Sequence, residues 1–323
     1  MKKKLSIAKK ILLVMLILIT TIVAASAFAL NHYMSKIERV EIDRNVVTQT
    51  GKEPVKEDED VITIALLGTD FTQNDEYGNL YGASDSTMIL GVDKKNNRVK
   101  LFSLMRDLYL DLPDGSGKEN LNYTMAYGGP ELILKTINYN FNLTVDKFIY
   151  VSLRTLPQII DKLGGVDLNI TEDELNYINA IIPSIDKENG TSTSPITSAG
   201  LQTLNGTQAS AYCRIRYTEG RDFKRTERQR DVLAALFNKF KTASISDLTS
   251  MMNDILPLVT TNLTNTEILS IATEVLSMGV PDIEQSRFPL DGKSEMILTD
   301  MYHMVVDIES TTNDIHKFLY SLE

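Results

Sequence analysis

Residues 11 to 30 read ILLVMLILITTIVAASAFAL, an uncharged apolar run of the ~20 residues that a helix needs to cross a bilayer core. Lys2, Lys3, Lys4, Lys9 and Lys10 stand before it. An excess of lysine on one flank keeps that flank in the cytoplasm. The pattern therefore predicts a cytoplasmic tail (1–10), a transmembrane anchor (11–30) and an extracytoplasmic remainder. A buried helix of a soluble protein rarely carries apolar residues on every face. A cleaved signal peptide is the nearer rival, because Ala25-Ser26-Ala27 resembles an A-x-A cleavage site. The run exceeds the roughly 7–15 residues of a signal core, which favours an uncleaved anchor.

The chain has 323 residues, 43% of them hydrophobic, so beyond the anchor it can bury one large core or two modest ones. A formal net charge of −10 argues against a general nucleic-acid binder, which carries a basic excess. Half of the arginines nevertheless fall between Arg214 and Arg230. A basic cluster in an acidic chain points to one specific anion. Cys213 is the single cysteine, so no intrachain disulfide can form. His32, His303 and His316 lie at or beyond the ends of the patterned region. Catalysis would therefore rest on carboxylates, arginines and metal.

After the anchor, residues 31–60 are polar and end in the charged stretch Lys52 to Asp60, which reads as a stalk or linker. Val61 to Leu67 is a continuous β-branched apolar run of strand length. Thr87 to Val92 and Val99 to Met105 predict two more strands joined by the turn Lys94 to Asn97. Pro130 to Phe141 predicts a helix with proline in its first turn. Asp146 to Leu153 reads as a strand, Leu156 to Leu163 as a short helix, and Gly164-Gly165 as its stop before the strand Val166 to Ile170. Ile182 to Thr197 reads as an exposed loop. The part from 242 to 323 reads as largely helical, with Ser286 to Pro289 as a last strand. Strands alternating with helices predict one α/β domain over 61–323, its core at 61–241, with helices covering a mixed sheet.

The arginine segment can be taken residue by residue. If Tyr212 to Tyr217 is extended, Cys213 and Ile215 share one side while Arg214 and Arg216 project in parallel from the other. Downstream, Val232, Leu233, Leu236, Phe237 and Phe240 form a helical apolar stripe. Continued backwards, that stripe places Gln229 and Arg225 on the inward face, with Arg228 and Arg230 at its edges. An arginine buried without a partner is costly, so an anion is expected to meet it. The plain alternative is an ion-pair network with Asp222, Glu227 and Asp231. Guanidinium forks and helix N-termini both suit phosphate oxygens, which favours a bound anion over the plain network.

Asp70 follows the first strand and Asp85 opens the second. Two such carboxylates could share one Mg²⁺, which takes one or two protein carboxylates plus phosphate oxygens and water. On spacing alone a turn or cap role is the default for a loop aspartate. Arg106-Asp107 closes the strand that begins at Val99, where an arginine is often simply solvated, and Asp167 reads as structural.

The stretches LLGTD (66–70), SDSTMIL (84–90), SLMRD (103–107), AYGGPEL (126–132), LGGVDLNI (163–170), GLQTLNGTQASAYCRIRY (200–217) and DFKRTERQRDVL (222–233) together resemble the LytR–CpsA–Psr family. The resemblance implies a three-layer α/β/α domain with a mixed central sheet, preceded by one N-terminal transmembrane helix, on a Gram-positive-type bacterium. It implies a transferase that moves a polyprenyl-diphosphate-linked glycopolymer, such as a teichoic acid or capsular polysaccharide, onto peptidoglycan. By the family's motif, Asp70 and Asp85 would hold Mg²⁺, or Mn²⁺ in its place. Arg106, Arg214, Arg216, Arg225, Arg228 and Gln229 would meet the diphosphate, with Arg106 and Arg216 acting in catalysis and Asp222 orienting or deprotonating the acceptor. Two positions depart from the family's habit. Ala83 stands where relatives often carry arginine, and Asn120-Leu121-Asn122 where they often carry Lys-Ile-Asn, leaving Lys118 as the nearest substitute charge. A diphosphate hydrolase and a non-catalytic lipid-carrier sensor or scaffold are the rival readings; export and acidity argue against DNA binding.

Overall fold

The computed structural model describes residues 31–51, 59–69, 81–216, 221–242 and 253–322. The apolar run at 11–30 and Asp70 lie outside the described residues. Among the described residues no helix is long and apolar enough to cross a membrane.

The strands are β1 (Glu38–Arg39), β2 (Val61–Thr69), β3 (Ser84–Asp93), β4 (Arg98–Leu104), β5 (Tyr109–Asp111), β6 (Lys118–Asn120), β7 (Phe148–Ser152), β8 (Val166–Ile170), β9 (Gly200–Leu204), β10 (Thr260–Thr261), β11 (Ile283–Phe288), β12 (Ser294–Leu298) and β13 (Tyr302–Val306). The helices are α1 (Arg44–Thr48), α2 (Leu121–Phe141), α3 (Leu156–Lys162), α4 (Glu172–Asn189), α5 (Gly206–Arg214), α6 (Arg221–Thr242), α7 (Asn265–Ser277) and α8 (Ile308–Leu319). Seven strands form the main sheet in the order β1-β10-β7-β2-β3-β4-β11. The β2/β3, β3/β4 and β10/β7 pairs are antiparallel. The β2/β7, β4/β11 and β1/β10 pairs are parallel, so the sheet is mixed.

The apolar run of β2 is buried on both faces because helices cover both. Ala65, Leu67, Ile89, Phe102 and Leu104 pack against α2 and α8 through Ile133, Ile137, Phe141 and Leu319. On the opposite face a second cluster joins α3, β8, α4, α5 and α6 through Ile160, Val166, Ile178, Cys213, Val232 and Leu236. Each such side chain removed from water contributes on the order of 1.5–3 kcal/mol. The fold is therefore the expected α/β domain with a mixed central sheet.

Several elements differ from the sequence expectation. Residues 31–51 are not a free stalk: β1 joins the sheet edge, and Val47 of α1 is buried in the first cluster. Residues 182–189 belong to α4, which a Thr171/Glu174 capping box starts and Gly190 ends. The Ser, Asn and Pro content of that stretch suggested a loop, but Ile178, Ile182 and Ile185 recur at helical spacing and are buried. The C-terminal part holds β10 to β13 as well as helices. β10 is only two residues long, and β11 to β13 mix polar exposed positions with buried or half-buried ones, which hides the alternation. Helix α2 begins nine residues before Pro130 and kinks at Gly128-Gly129, where Gly129 takes φ 61°. Only glycine adopts that conformation readily.

Candidate active site

The site forms where the carboxyl end of β2 meets the start of β3. Gly68 opposes Ser86 but Thr69 opposes Ser84, so Asp85 is the extra residue of a β-bulge. A bulge frees a side chain from strict alternation and re-aims it. Asp85 thereby turns to three guanidiniums. Arg106 Nη1 donates to its Oδ1 at 2.6 Å, Arg225 Nη1 lies 3.9 Å from that atom and Arg216 Nη2 4.0 Å.

One carboxylate does not satisfy three arginines. Arg225 is 3% exposed, yet its Nε and Nη2 have no hydrogen-bond partner among the described residues. Its Nε lies 3.4 Å from Asp222 Oδ1 without hydrogen-bond geometry. Burial, and then Arg106, push the Arg225 pKa down to about 10, so it remains cationic at neutral pH. Gln229 Oε1 and Arg106 Nε are also buried without a hydrogen bond. For Arg106, burial works against the charge, but Asp107 and Asp85 outweigh it and hold its pKa above the ordinary value. Unsatisfied buried donors are expensive, on the order of 1–3 kcal/mol each and more when charged. Such a cluster has the charge and the free donors to receive an anion.

Arg214, Arg216, Arg225, Gln229 and Asp85 line a cavity of about 620 Å³ of empty space. It shares Leu153, Leu156, Cys213 and Gln229 with an apolar cavity of about 610 Å³, bounded by Leu66, Met88 and Val151 of the sheet and Val232 and Leu233 of α6. An anionic head and an apolar tail therefore have adjoining places. Burial pushes the Cys213 thiol up to about 12, which keeps it neutral and lets it line the passage as a small apolar group.

The arginines fall into two sets. The predicted parallel pair on a strand is corrected: residues 206–214 are α5, and Arg214 ends that helix. The Asn205/Gln208 capping box starts α5, and Ala209, Ala211, Tyr212 and Cys213 are buried. Arg214 and Arg216 still reach one cavity, because the chain becomes extended at Ile215. Arg214 also pairs with Glu188 at 3.1 Å. Arg228 does not line the cavity. Its Nε meets Glu174 Oε1 at 2.8 Å and its Nη1 donates to the Ile215 carbonyl, so it ties α6 to α4. Arg230 Nη1 donates to Ser103 Oγ at 2.9 Å, tying α6 to β4.

The two replaced basic positions are now placed. Lys118 lies 3.4 Å from Asp111 across β5 and β6 and is not a wall of the anion cavity. Asn120 is buried and hydrogen-bonded to the Tyr302 carbonyl and to His303 Nδ1. Ala83 lies just ahead of β3 and brings no charge. Asp107, which sequence reading left without a role, borders the site beside Arg106. Burial raises its carboxyl pKa despite Arg106, and the charge of Asp222 adds to the rise. Its position directly after Arg106 at a strand end was the available signal.

For a divalent cation, Asp85 is a suitable first ligand. The closest guanidinium contacts fall on Oδ1, and no hydrogen bond to Oδ2 exists among the described residues. Thr69, the residue before Asp70, pairs with Ser84, the residue before Asp85. A hard carboxylate oxygen free of hydrogen bonds among the described residues fits Mg²⁺.

The fold has known counterparts. The chain matches the LytR_cpsA_psr family over residues 22–317, and it belongs to that family. It is 29% identical over 265 residues to the regulatory protein MsrR of Staphylococcus aureus (strain COL), covering 80% of this chain and 74% of that protein. It is 29% identical over 233 residues to the polyisoprenyl-teichoic acid–peptidoglycan teichoic acid transferase TagU of Bacillus cereus, covering 72% of this chain and 69% of that one. Among solved structures it resembles the LytR-CPS2A-psr family protein YwtF (TagT) of Bacillus subtilis with bound octaprenyl pyrophosphate lipid. The TM-score is 0.60 at 20% identity, over 87% of this chain and 99% of that one. At that identity the likeness is one of fold.

Proposed function

We propose that this chain transfers a polyprenyl-diphosphate-linked glycopolymer, of teichoic acid or capsular polysaccharide type, onto peptidoglycan. The observation that carries the reading is Arg225, buried with two unpartnered nitrogens in a cluster of arginines that opens into an apolar cavity. The name of TagU and the octaprenyl pyrophosphate of the TagT structure support the same donor and reaction.

In this reading the diphosphate sits on Arg106, Arg214, Arg216 and Arg225, and its lipid runs into the apolar cavity. An acceptor hydroxyl attacks the phosphorus that bears the sugar. A P–O bond forms to the acceptor, the bond to the bridging oxygen breaks, and polyprenyl phosphate leaves with the electron pair. The acceptor proton passes to Asp222 or to Asp107. Phosphoryl transfer asks chiefly for positioning and charge stabilisation, which fixed guanidiniums supply. Mg²⁺, or Mn²⁺, held by Asp85 with Asp70 supplies further charge neutralisation when bound. The segment 11–30 anchors the domain on the outer face of the cell membrane, with residues 1–10 in the cytoplasm.

Arg216 is the residue on which to test this, because it is 47% exposed and its removal leaves the core untouched. Arg216→Ala is expected to lose about 10²-fold or more in transfer with an unchanged melting temperature, measured with purified protein, lipid-linked donor and peptidoglycan. Full transfer by the variant would refute the assignment. Release of glycopolymer by the native protein irrespective of added peptidoglycan would show a hydrolase instead.

A further inference from the structure

Beyond the anion cavity the chain has a wider cleft, of about 1600 Å³, which shares with the proposed diphosphate site only Arg106 at its inner end. Helix α6 relates the three spaces in a fixed order. Leu233 and Val232 line the apolar cavity, Gln229 and Arg225 the anion cavity, and Phe223 and Asp222 the cleft. From Val232 to Asp222 the helix advances roughly 15 Å at 1.5 Å per residue. The diphosphate thus lies between the lipid at one end and the cleft at the other. Arg106 and Asp107 join Asp222 at the cleft's inner end.

The walls are suited to sugar. Tyr123 and Tyr302 line the cleft, Tyr302 63% exposed and Tyr123 half-buried, with Tyr127 stacked behind Tyr123 at 6.2 Å and 18°. Aromatic faces pack on the C–H faces of pyranose rings, while the phenol tip remains available for hydrogen bonding. Asn122 borders the same cleft and is 7% exposed, yet its Oδ1 accepts no hydrogen bond among the described residues. An amide oxygen with no donor is a place for a hydroxyl. The outer wall is fixed in place. Met304 N donates to the Asp107 carbonyl at 2.7 Å, and Asn120 Nδ2 donates to the Tyr302 carbonyl at 2.9 Å. The His303 ring lies 4.2 Å from that of Tyr109. At the position where relatives often carry lysine, Asn120 thus holds the β12–β13 hairpin beside the site.

We propose that this cleft binds the acceptor glycan strand, with Tyr302 and Tyr123 as stacking surfaces and Asn122 as the acceptor of a sugar hydroxyl. The proposal rests on the transfer reading. In-line displacement brings the attacking oxygen from the side opposite the leaving polyprenyl phosphate, and along α6 that side is the cleft. The attacking hydroxyl then arrives beside Asp222 and Asp107, one of which takes its proton.

The test measures two ligands separately on full-length protein in detergent: octaprenyl diphosphate, and a peptidoglycan tetrasaccharide offered to the lipid-loaded protein. The native protein is expected to bind the tetrasaccharide. Tyr302→Ala and Asn122→Ala should each weaken it at least tenfold, Tyr302→Phe should retain it, and octaprenyl diphosphate should bind all four proteins alike. Equal tetrasaccharide binding by the native protein and both alanine variants, or none by the native protein, would overturn the proposal. So would alanine variants that lose octaprenyl diphosphate, which would give the cleft to the donor. Tyrosine-dependent tetrasaccharide binding with no turnover of lipid-linked donor would sink the transfer reading instead.

Discussion

Arg225 and Arg228 stand three residues apart on α6, both nearly inaccessible to water, and their surroundings assign them opposite work. Arg228 is matched: Glu174 accepts from its Nε, and Glu174 also closes the capping box of α4. Removing one partner of a buried pair leaves the other charge uncompensated, at about 3–5 kcal/mol. Arg228→Met is therefore expected to lose stability of that size in urea unfolding. Arg225 makes no hydrogen bond through Nε or Nη2, and its ion pairs with Asp222 and Asp85 are long, at 3.4 and 3.9 Å. Arg225→Met should unfold at the same urea concentration as the native protein or a higher one. Sequence periodicity placed Arg225 and Gln229 on the inward face, but it could not separate Arg225 from Arg228. That distinction depends on Glu174, 54 positions away, and no local pattern encodes it. Asp107 was hidden for a related reason: it is half-buried beside Met304 of β13, whose N–H its carbonyl accepts, and Asp222 of α6, and its neighbours in sequence announce neither.

At the scale of elements, the long apolar and β-branched runs were legible. Strands β2, β3, β4, β7 and β8 and helices α3 and α6 lie where composition and periodicity put them. Elements whose stability comes from contacts distant in sequence were not. Tyr212 to Tyr217 reads better as extended, where its two arginines run parallel, until the Asn205/Gln208 capping box and Gly206 are considered. A Cβ at Gly206 would stand 2.0 Å from the Pro157 carbonyl oxygen, so glycine there lets α5 close on α3. The docking of β1 and α1 also depends on a distant partner. Arg44 hydrogen-bonds Glu267 at the start of α7 and, as the largest cause, pulls that carboxyl down to about 2. A depressed carboxylate stabilises the fold above its unfolded value of 4.5, and the contribution fades as pH falls towards about 2. Thermal unfolding should therefore show Glu267→Gln less stable than the native protein at pH 7, with the gap closing below pH 4.5. A gap that stays constant down to pH 2 would separate the Arg44 contact from stability.

Across the whole molecule, the order of spaces along α6 is the order that the proposed transfer asks of lipid, diphosphate and acceptor. In the proposed scheme the segment 11–30 would hold the domain at the membrane. Cells expressing the full chain should retain the protein in the membrane fraction. A chain beginning at residue 31 should be recovered free of membrane and still bind octaprenyl diphosphate; membrane retention of the shortened chain would move the anchor elsewhere. The most direct measurement is calorimetric titration of the purified protein with octaprenyl diphosphate, beside Arg225→Met and Arg228→Met. Saturable one-to-one binding is expected in the native protein and in folded Arg228→Met, with a loss of about 10²-fold or more in Arg225→Met, the range for truncating one side of a buried charge pair. Equal affinity in the native protein and Arg225→Met would contradict the assignment of the arginine cluster to the diphosphate.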